Sequence, residues 1–366
     1  MRIGIYLETA GTGISRYLWQ LLETLPFIDG EHEYYVYVDK ASVLKGQQPY
    51  NPIFDRDFLI RGPIVACESV HPDLFRRIRE DAINVFHAEF NSFPLHTICP
   101  TVLTIHDTSP ILAPPSVLPP EWKREASKRM LLAIRLADHL VVPSHYVKQQ
   151  LVEKLRVPSD KITQIYWGCP PFFRPVPQET ARKTVKERFG ISRPFVLTVG
   201  ILNRRKNLKL LIEAFRKKLW KSHDLVLVGR RGWWADEILR LIEGDPTIHY
   251  LGTVPDRELL YLYAAAKCFA FSSQEEGFGF PPIEAMACGT PVVAQRCASL
   301  PEVIGNAGLL VEPENPLRFA DAMERAICDR PLRATLRQRG LERAGEFRWE
   351  DTATKMLALY RQLVEV

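Results

Sequence analysis

Glu276 and Glu284 stand on either side of a seven-residue run with two glycines and two prolines, in the stretch SSQEEGFGFPPIEAMACGTPVV, residues 272–293. A carboxylate accepts paired hydrogen bonds, as from the vicinal hydroxyls of a sugar, and a glycine loop leaves backbone N–H groups uncovered. Pro281 and Pro282 suit a first helical turn and Gly289 a helix end. Glu276 is therefore expected on a loop and Glu284 at a helix start. Helix N-terminus and loop N–H groups together make a phosphate site. Taken singly, Glu276 reads as a solvated carboxylate and Glu284 as a complement to the helix dipole; the whole string outweighs that.

A second cluster, VGILNRRKNLKLLIEAF at residues 199–215, places Arg204, Arg205 and Lys206 between a strand end and a helix. Such cations could clamp a diphosphate and stabilise it as it departs, the alternative being a surface charge run. VGRRGWWADEI adds Arg230 and Arg231, where a turn and a ligand site fit equally. TVLTIHDTSP puts His106 and Asp107 just past a strand. They could bond a sugar hydroxyl or pass a proton, or else serve as a packed ring and a cap. GTGISRY, residues 11–17, lacks the third glycine of the dinucleotide fingerprint because Arg16 takes its place, which disfavours an NAD-dependent oxidoreductase. The histidines are scattered, without HxxxH or HExxH, and no tightly bound metal is expected.

These residues need elements to hold them. RIGIYLE, HEYYVYV, INVFHAE, PTVLTIHD and DHLVVPS read as strands alternating with helices such as EWKREASKRMLLAIRLA. GCPPFFRPVP, residues 168–177, carries four prolines and suits a linker. Beyond it the alternation restarts with PFVLTVG, NLKLLIEAFRKKL, DLVLVG and their successors up to CFAFSS and TPVVA. Alternation of this kind is the pattern of a parallel sheet covered on both faces, and ligands bind at the carboxyl ends of such strands. Two doubly wound α/β domains are expected, 1–172 and 173–347, with the final helix, 348–366, packing back on the first.

Composition bounds the functional classes. At 366 residues and 46% apolar content the chain can bury two cores. The net charge of +5 lies wholly beyond residue 175: residues 1–175 hold 19 basic and 19 acidic side chains, the rest 29 and 24. That is too mild for nucleic acid and suits a small polyanionic ligand. Seven cysteines without a CxxC pair read as buried thiols in a reducing cytoplasm. No signal peptide or membrane-spanning stretch is apparent. The helix EWKREASKRMLLAIR, carrying Lys123, Arg124, Lys128, Arg129 and Arg135 with Trp122, Met130 and Leu131, is either a solvated face or a contact for an anionic membrane.

GTGISRY, TIHD, VVPSHYVKQQL, NRRKNLKLLIEAF, LVGRRGW, YLGTV, EEGFGFPPIEAMACGTPVVA, LPEVIGNAGLLVEP and RWEDTATKMLALY, in that order, resemble the retaining glycosyltransferases of family 4 over most of the chain. The resemblance implies the GT-B fold, two Rossmann-like domains facing across a cleft. It implies that Glu276 contacts hydroxyls of the transferred sugar and Glu284 the ribose. Arg205 and Lys206, with backbone N–H groups of Phe278, Gly279 and Gly13, would bind the diphosphate. His106, with Asp107, would meet the sugar, and the backbone of Val254 the base. Many members carry an arginine directly after the strand-end glycine, where this chain has Ile201, so the phosphate load falls on Arg205 and Lys206. Members keep the anomeric configuration without a metal, the acceptor attacking on the face the nucleotide leaves. RKN and GRRGW resemble the mannosyl- and rhamnosyltransferases of bacterial polysaccharide and lipopolysaccharide assembly. GDP-mannose is thus the first expectation for the donor, a UDP-sugar the second, and a glycan or lipid-linked sugar the acceptor. Rival classes are a non-catalytic nucleotide-sugar or glycan binder of the same fold, an epimerase, and a phosphorylase.

Overall fold

A computed structural model describes residues 1–7, 15–39, 64–67, 72–90, 93, 98–313 and 315–365. The chain divides into two compact units. The first comprises Met1–Ala113, Pro120–Gly168 and Arg348–Val366, and the second Pro114–Pro119 and Cys169–Phe347. The division therefore falls before the proline run, at Gly168, and not at 172/173. Cys169 donates its N–H to the Phe347 carbonyl within the second unit (2.8 Å), which holds the start of the linker there.

Among the described residues the first unit contains seven strands: β1 (Arg2–Leu7), β2 (Glu33–Asp39), β3 (Ile64–Cys67), β4 (Val85–Glu89), β5 (Thr101–Thr104), β6 (His139–Val142) and β7 (Ile162–Gln164). They pair in parallel in the order β3-β2-β1-β4-β5-β6-β7. The order reverses between β1 and β4, the place at whose carboxyl edge open α/β sheets bind their ligands. The strands are largely apolar, as a covered parallel sheet requires; buried polar side chains include Thr101 and Thr104 on β5 and His87 and Glu89 on β4, the last two being the costliest to bury.

The final helix, Trp349–Val364, lies against the first helix, Ser15–Ile28, in this unit. Its start is held by backbone proximity: a Cβ on Gly168 would stand 2.4 Å from the Trp349 backbone nitrogen, so only glycine fits there. Thr352 Oγ1 adds a bond to the Tyr166 carbonyl (2.7 Å).

The second unit repeats the plan with β8 (Phe195–Val199), β9 (Asp224–Val228), β10 (Ile248–Tyr250), β11 (Cys268–Phe271), β12 (Val292–Gln295) and β13 (Gly308–Val311), all parallel in the order β10-β9-β8-β11-β12-β13. The reversal here lies between β8 and β11. One face is covered by helices Leu208–Lys218 and Pro316–Cys328, whose Leu211, Phe215, Phe319 and Met323 fill the core against Val196, Leu225 and Ala270. Of the cysteines described, Cys268 and Cys288 are buried, while Cys99, Cys169 and Cys297 are partly covered and Cys328 is exposed; the expectation of buried thiols holds in part.

Candidate active site

The loop after β8 is built by two asparagines that bracket the cations. Asn203 Oδ1 accepts the Lys206 N–H (3.2 Å), closing a single 3-10 turn over Arg204–Lys206, and Asn207 takes a left-handed conformation (φ +47°) that releases the chain into helix Leu208–Lys218. Asparagine tolerates this region better than most residues. Gly200 and Gly229 end β8 and β9; a Cβ on Gly229 would lie 2.0 Å from the Gly200 carbonyl oxygen, so the two strand tips touch only because a side chain is missing. The turn presents its cations at the reversal point of the sheet.

The loop after β11 meets them. Lys206 Nζ bonds Glu276 Oε1, which also accepts from Ser273 Oγ (2.6 Å), and an Arg205 Nη1 stands 3.8 Å from Glu276 Oε2. Arg205 donates to the Glu275 carbonyl (3.0 Å) and Lys206 Nζ lies 4.9 Å from the centre of the Phe271 ring. Burial would raise the pKa of Glu276, but the charges of Lys206 and Arg205 and the bonds from Lys206 and Ser273 outweigh it and hold the carboxyl below its ordinary range. Glu276 is thus an ionised, acceptor-only group in a buried setting. Ser299 Oγ pins the rest of the loop by donating to the Glu276 and Phe278 carbonyls (2.8 and 3.0 Å).

Gly279, at φ +104°, caps helix Phe280–Ala287, and a Cβ there would press on Leu300 at 3.0 Å. Phe278 packs edge-on to Phe280 and Phe347. Glu284 lies within the helix, not at its start as expected; it is buried, and its Oε2 accepts from the Tyr263 hydroxyl (2.8 Å). Val254 is buried just past β10, the edge strand. Arg204 turns away from these groups: it stacks over Trp234 (4.3 Å) and pairs with Glu237.

In the first unit His106 follows β5 and places Nε2 2.9 Å from Glu89 Oε1 at the end of β4. Two residues before Glu89, His87 is fully buried between Tyr360 (Nδ1 to Oη 2.5 Å) and Thr104 (Nε2 to Oγ1 2.7 Å). Burial, and secondarily the charge of His106, pull its pKa down to about 3, so its ring is neutral. Asp107 Oδ1 accepts the Ser109 N–H (2.9 Å) and hydroxyl, an Asx turn leading into the short helix Ser109–Leu112. The N-cap of that helix is Thr108, so Asp107 shapes the turn one residue ahead of it.

The relatives decide the class. Residues 11–171 match the model of Glycosyltransferase Family 4, and residues 193–329 that of Glycosyl transferases group 1. Over 320 residues the chain is 31% identical to O-antigen chain mannosyltransferase B of Escherichia coli, spanning 84% of this chain and 82% of that protein. The chain belongs to glycosyltransferase family 4. A second relative in the family, the serotype-specific mannosyltransferase WbdA of Escherichia coli, is 28% identical over 72% of this chain, which spans 34% of that longer protein. Sucrose-phosphate synthase from Thermosynechococcus elongatus has the same GT-B architecture, with a TM-score of 0.78, 22% identity and 99% of each chain covered.

As a family 4 glycosyltransferase, the chain keeps the E-x7-E element and the RKN turn, and the structure brings Arg205, Lys206 and Glu276 into one cluster. Gly13 lies outside the described residues. Sequence reasoning missed Ser273, Ser299 and Tyr263, which hold the two glutamates, and Glu89, which holds His106. The advance signal for Glu89 was a charged residue ending the mostly apolar strand VFHAE. Asp29, Glu31 and His32 place potential metal ligands together, but Asp29 is already bonded to Tyr34 (2.6 Å) and His32 (2.7 Å). On helix Pro120–Leu136, Met130 is buried and Lys123 is tied to the Ala113 carbonyl, so neither belongs to the basic face; Trp122, Arg124, Lys128, Arg129, Leu131, Leu132, Arg135 and Leu136 are exposed. Among the described residues no helix is long and apolar enough to cross a membrane.

Proposed function

We propose that the enzyme transfers a hexose, mannose from GDP-mannose in the first instance, to a glycan or lipid-linked sugar with retention of anomeric configuration and without a metal. The observation that carries this is the buried contact of Glu276 with Lys206 and Arg205 at the reversal point between β8 and β11. There an ionised carboxylate can accept from sugar hydroxyls while the neighbouring cations meet the charge that grows on a departing diphosphate. Backbone N–H groups of Phe278 and Gly279 at the helix start complete the diphosphate site in the second unit, with Glu284 on the ribose and Val254 at the base. His106 meets the sugar. Asp107 serves by shaping the turn beside it. The acceptor proton goes to the leaving diphosphate. The mannosyltransferase relatives favour mannose over the UDP-sugar alternative. The exposed leucines and arginines of helix Pro120–Leu136 suit the anionic face of a membrane where lipid-linked acceptors reside.

Calorimetric titration with GDP, UDP, ADP, GDP-mannose and UDP-glucose, with EDTA and again with Mg²⁺, tests the donor site. Binding of GDP and GDP-mannose in EDTA, weakened tenfold or more in Arg205→Ala, is the expected result. Binding only of UDP compounds moves the donor to the UDP-sugar class, and a strict Mg²⁺ requirement removes metal independence. Binding without turnover in the presence of mannose or mannosylated acceptors supports a non-catalytic binder.

A further inference from the structure

Glu89 and His106 leave neighbouring strand ends: Glu89 is the last residue of β4, paired in register with Thr104 at the end of β5, and His106 lies two residues on. Glu89 is 1% exposed, a costly place for a carboxylate unless it is paired. His106 Nε2 stands 2.9 Å from its Oε1. The imidazole is flanked edge-on by Tyr17 and Trp167, centroids 5.5 and 5.9 Å away, and these two rings stack on each other at 3.9 Å. His87, on the same face of β4, is neutral and brings no positive charge to Glu89. Asp107, next in the chain to His106, is engaged with Ser109.

We propose that Glu89 is the positioning residue for His106. As a carboxylate it can only accept, so the ring nitrogen facing it must carry the proton. The pair thereby fixes the Nε2–H tautomer and the ring plane, and Nδ1 remains as the acceptor for a hydroxyl of the transferred sugar. Tyr17 and Trp167 block rotation of the ring but, as aromatic edges, cannot choose between tautomers. Glu89 makes that choice. The inference rests on the sugar contact proposed for His106.

Selective ¹⁵N-histidine labelling reads the ring directly. The His106 signal, assigned by its loss in His106→Ala, is expected to report protonated Nε2 in the wild type and mixed tautomers in Glu89→Leu, with Glu89→Gln between them. Turnover, followed as GDP release from GDP-mannose with mannose as acceptor, should fall in kcat by about 10–100-fold in Glu89→Leu, with donor affinity by calorimetry little changed. The double variant Glu89→Leu/His106→Ala should be no slower than His106→Ala. A wild-type ring protonated on Nδ1, or losses that multiply in the double variant, overturns the proposal. Full activity of His106→Ala overturns the sugar contact itself, whereas an enzyme sensitive to His106→Ala and indifferent to Glu89→Leu overturns only the role of Glu89.

Discussion

Lys206 is the residue on which the second unit's site turns. It fills the space beside Gly200, lies under the β11 loop and neutralises a carboxylate that is 8% exposed. Removing one partner of such a pair strands the other charge in a poorly solvated place. Lys206→Met is therefore expected to cost about 3 kcal/mol of stability, and the double variant Lys206→Met/Glu276→Gln to recover most of it, because the remaining amide is neutral. Denaturant titration of the three proteins checks this. Equal losses in the single and double variants would show that the stabilisation comes from the lysine stem and not from the ion pair.

At the level of the elements, the loops after β8 and β11 are short and held by polar residues: Asn203 and Asn207 within the first, Ser273 within the second and Ser299, from beyond β12, bonding to the second. Helix Pro120–Leu136 is different. Its inner side, with Ala126, Met130, Ala133 and Ile134, is buried, while its outer side mixes leucines with four exposed basic positions, 124, 128, 129 and 135. Each basic side chain near an anionic surface is worth about 1 kcal/mol, so replacing all four by Ala should weaken partitioning onto phosphatidylserine vesicles by roughly a thousandfold at low salt. Sedimentation with vesicles measures it. Unchanged binding, or none in the wild type, removes the membrane contact.

For the molecule as a whole, the first unit is closed by both ends of the chain, and His87 on β4 bonds Tyr360 on the final helix. This contact carries a pH dependence. The folded pKa of His87, about 3, lies below the unfolded value near 6.5, so the unfolded state binds more protons in between. The stabilisation is complete above pH 6.5 and is lost as pH falls toward 3, by about 2 kcal/mol between pH 7 and 5. His87→Gln should be less stable at pH 7 and show a flatter decline. Urea unfolding at both pH values decides it; parallel slopes in the two proteins would mean that His87 is not the titrating group.

Local pattern was enough to read two doubly wound halves from this chain, because strand and helix periodicities and the proline run are properties of neighbouring residues. The NRRKN turn and the E-x7-E element were legible for the same reason: glycine, proline and asparagine constrain the backbone wherever they stand. The meeting of Lys206 with Glu276, of Tyr263 with Glu284 and of Glu89 with His106 was not. These pairs are separated by 70, 21 and 17 residues and are joined only by strand order and register. Nor did the local string say that Asp107 would bond Ser109 or that Arg204 would stack on Trp234; packing decides both contacts. Sequence determined the elements and the chemistry they could carry, and tertiary structure decided which side chains meet, because hydrogen bonds and ion pairs act over a few ångströms that the linear chain does not specify.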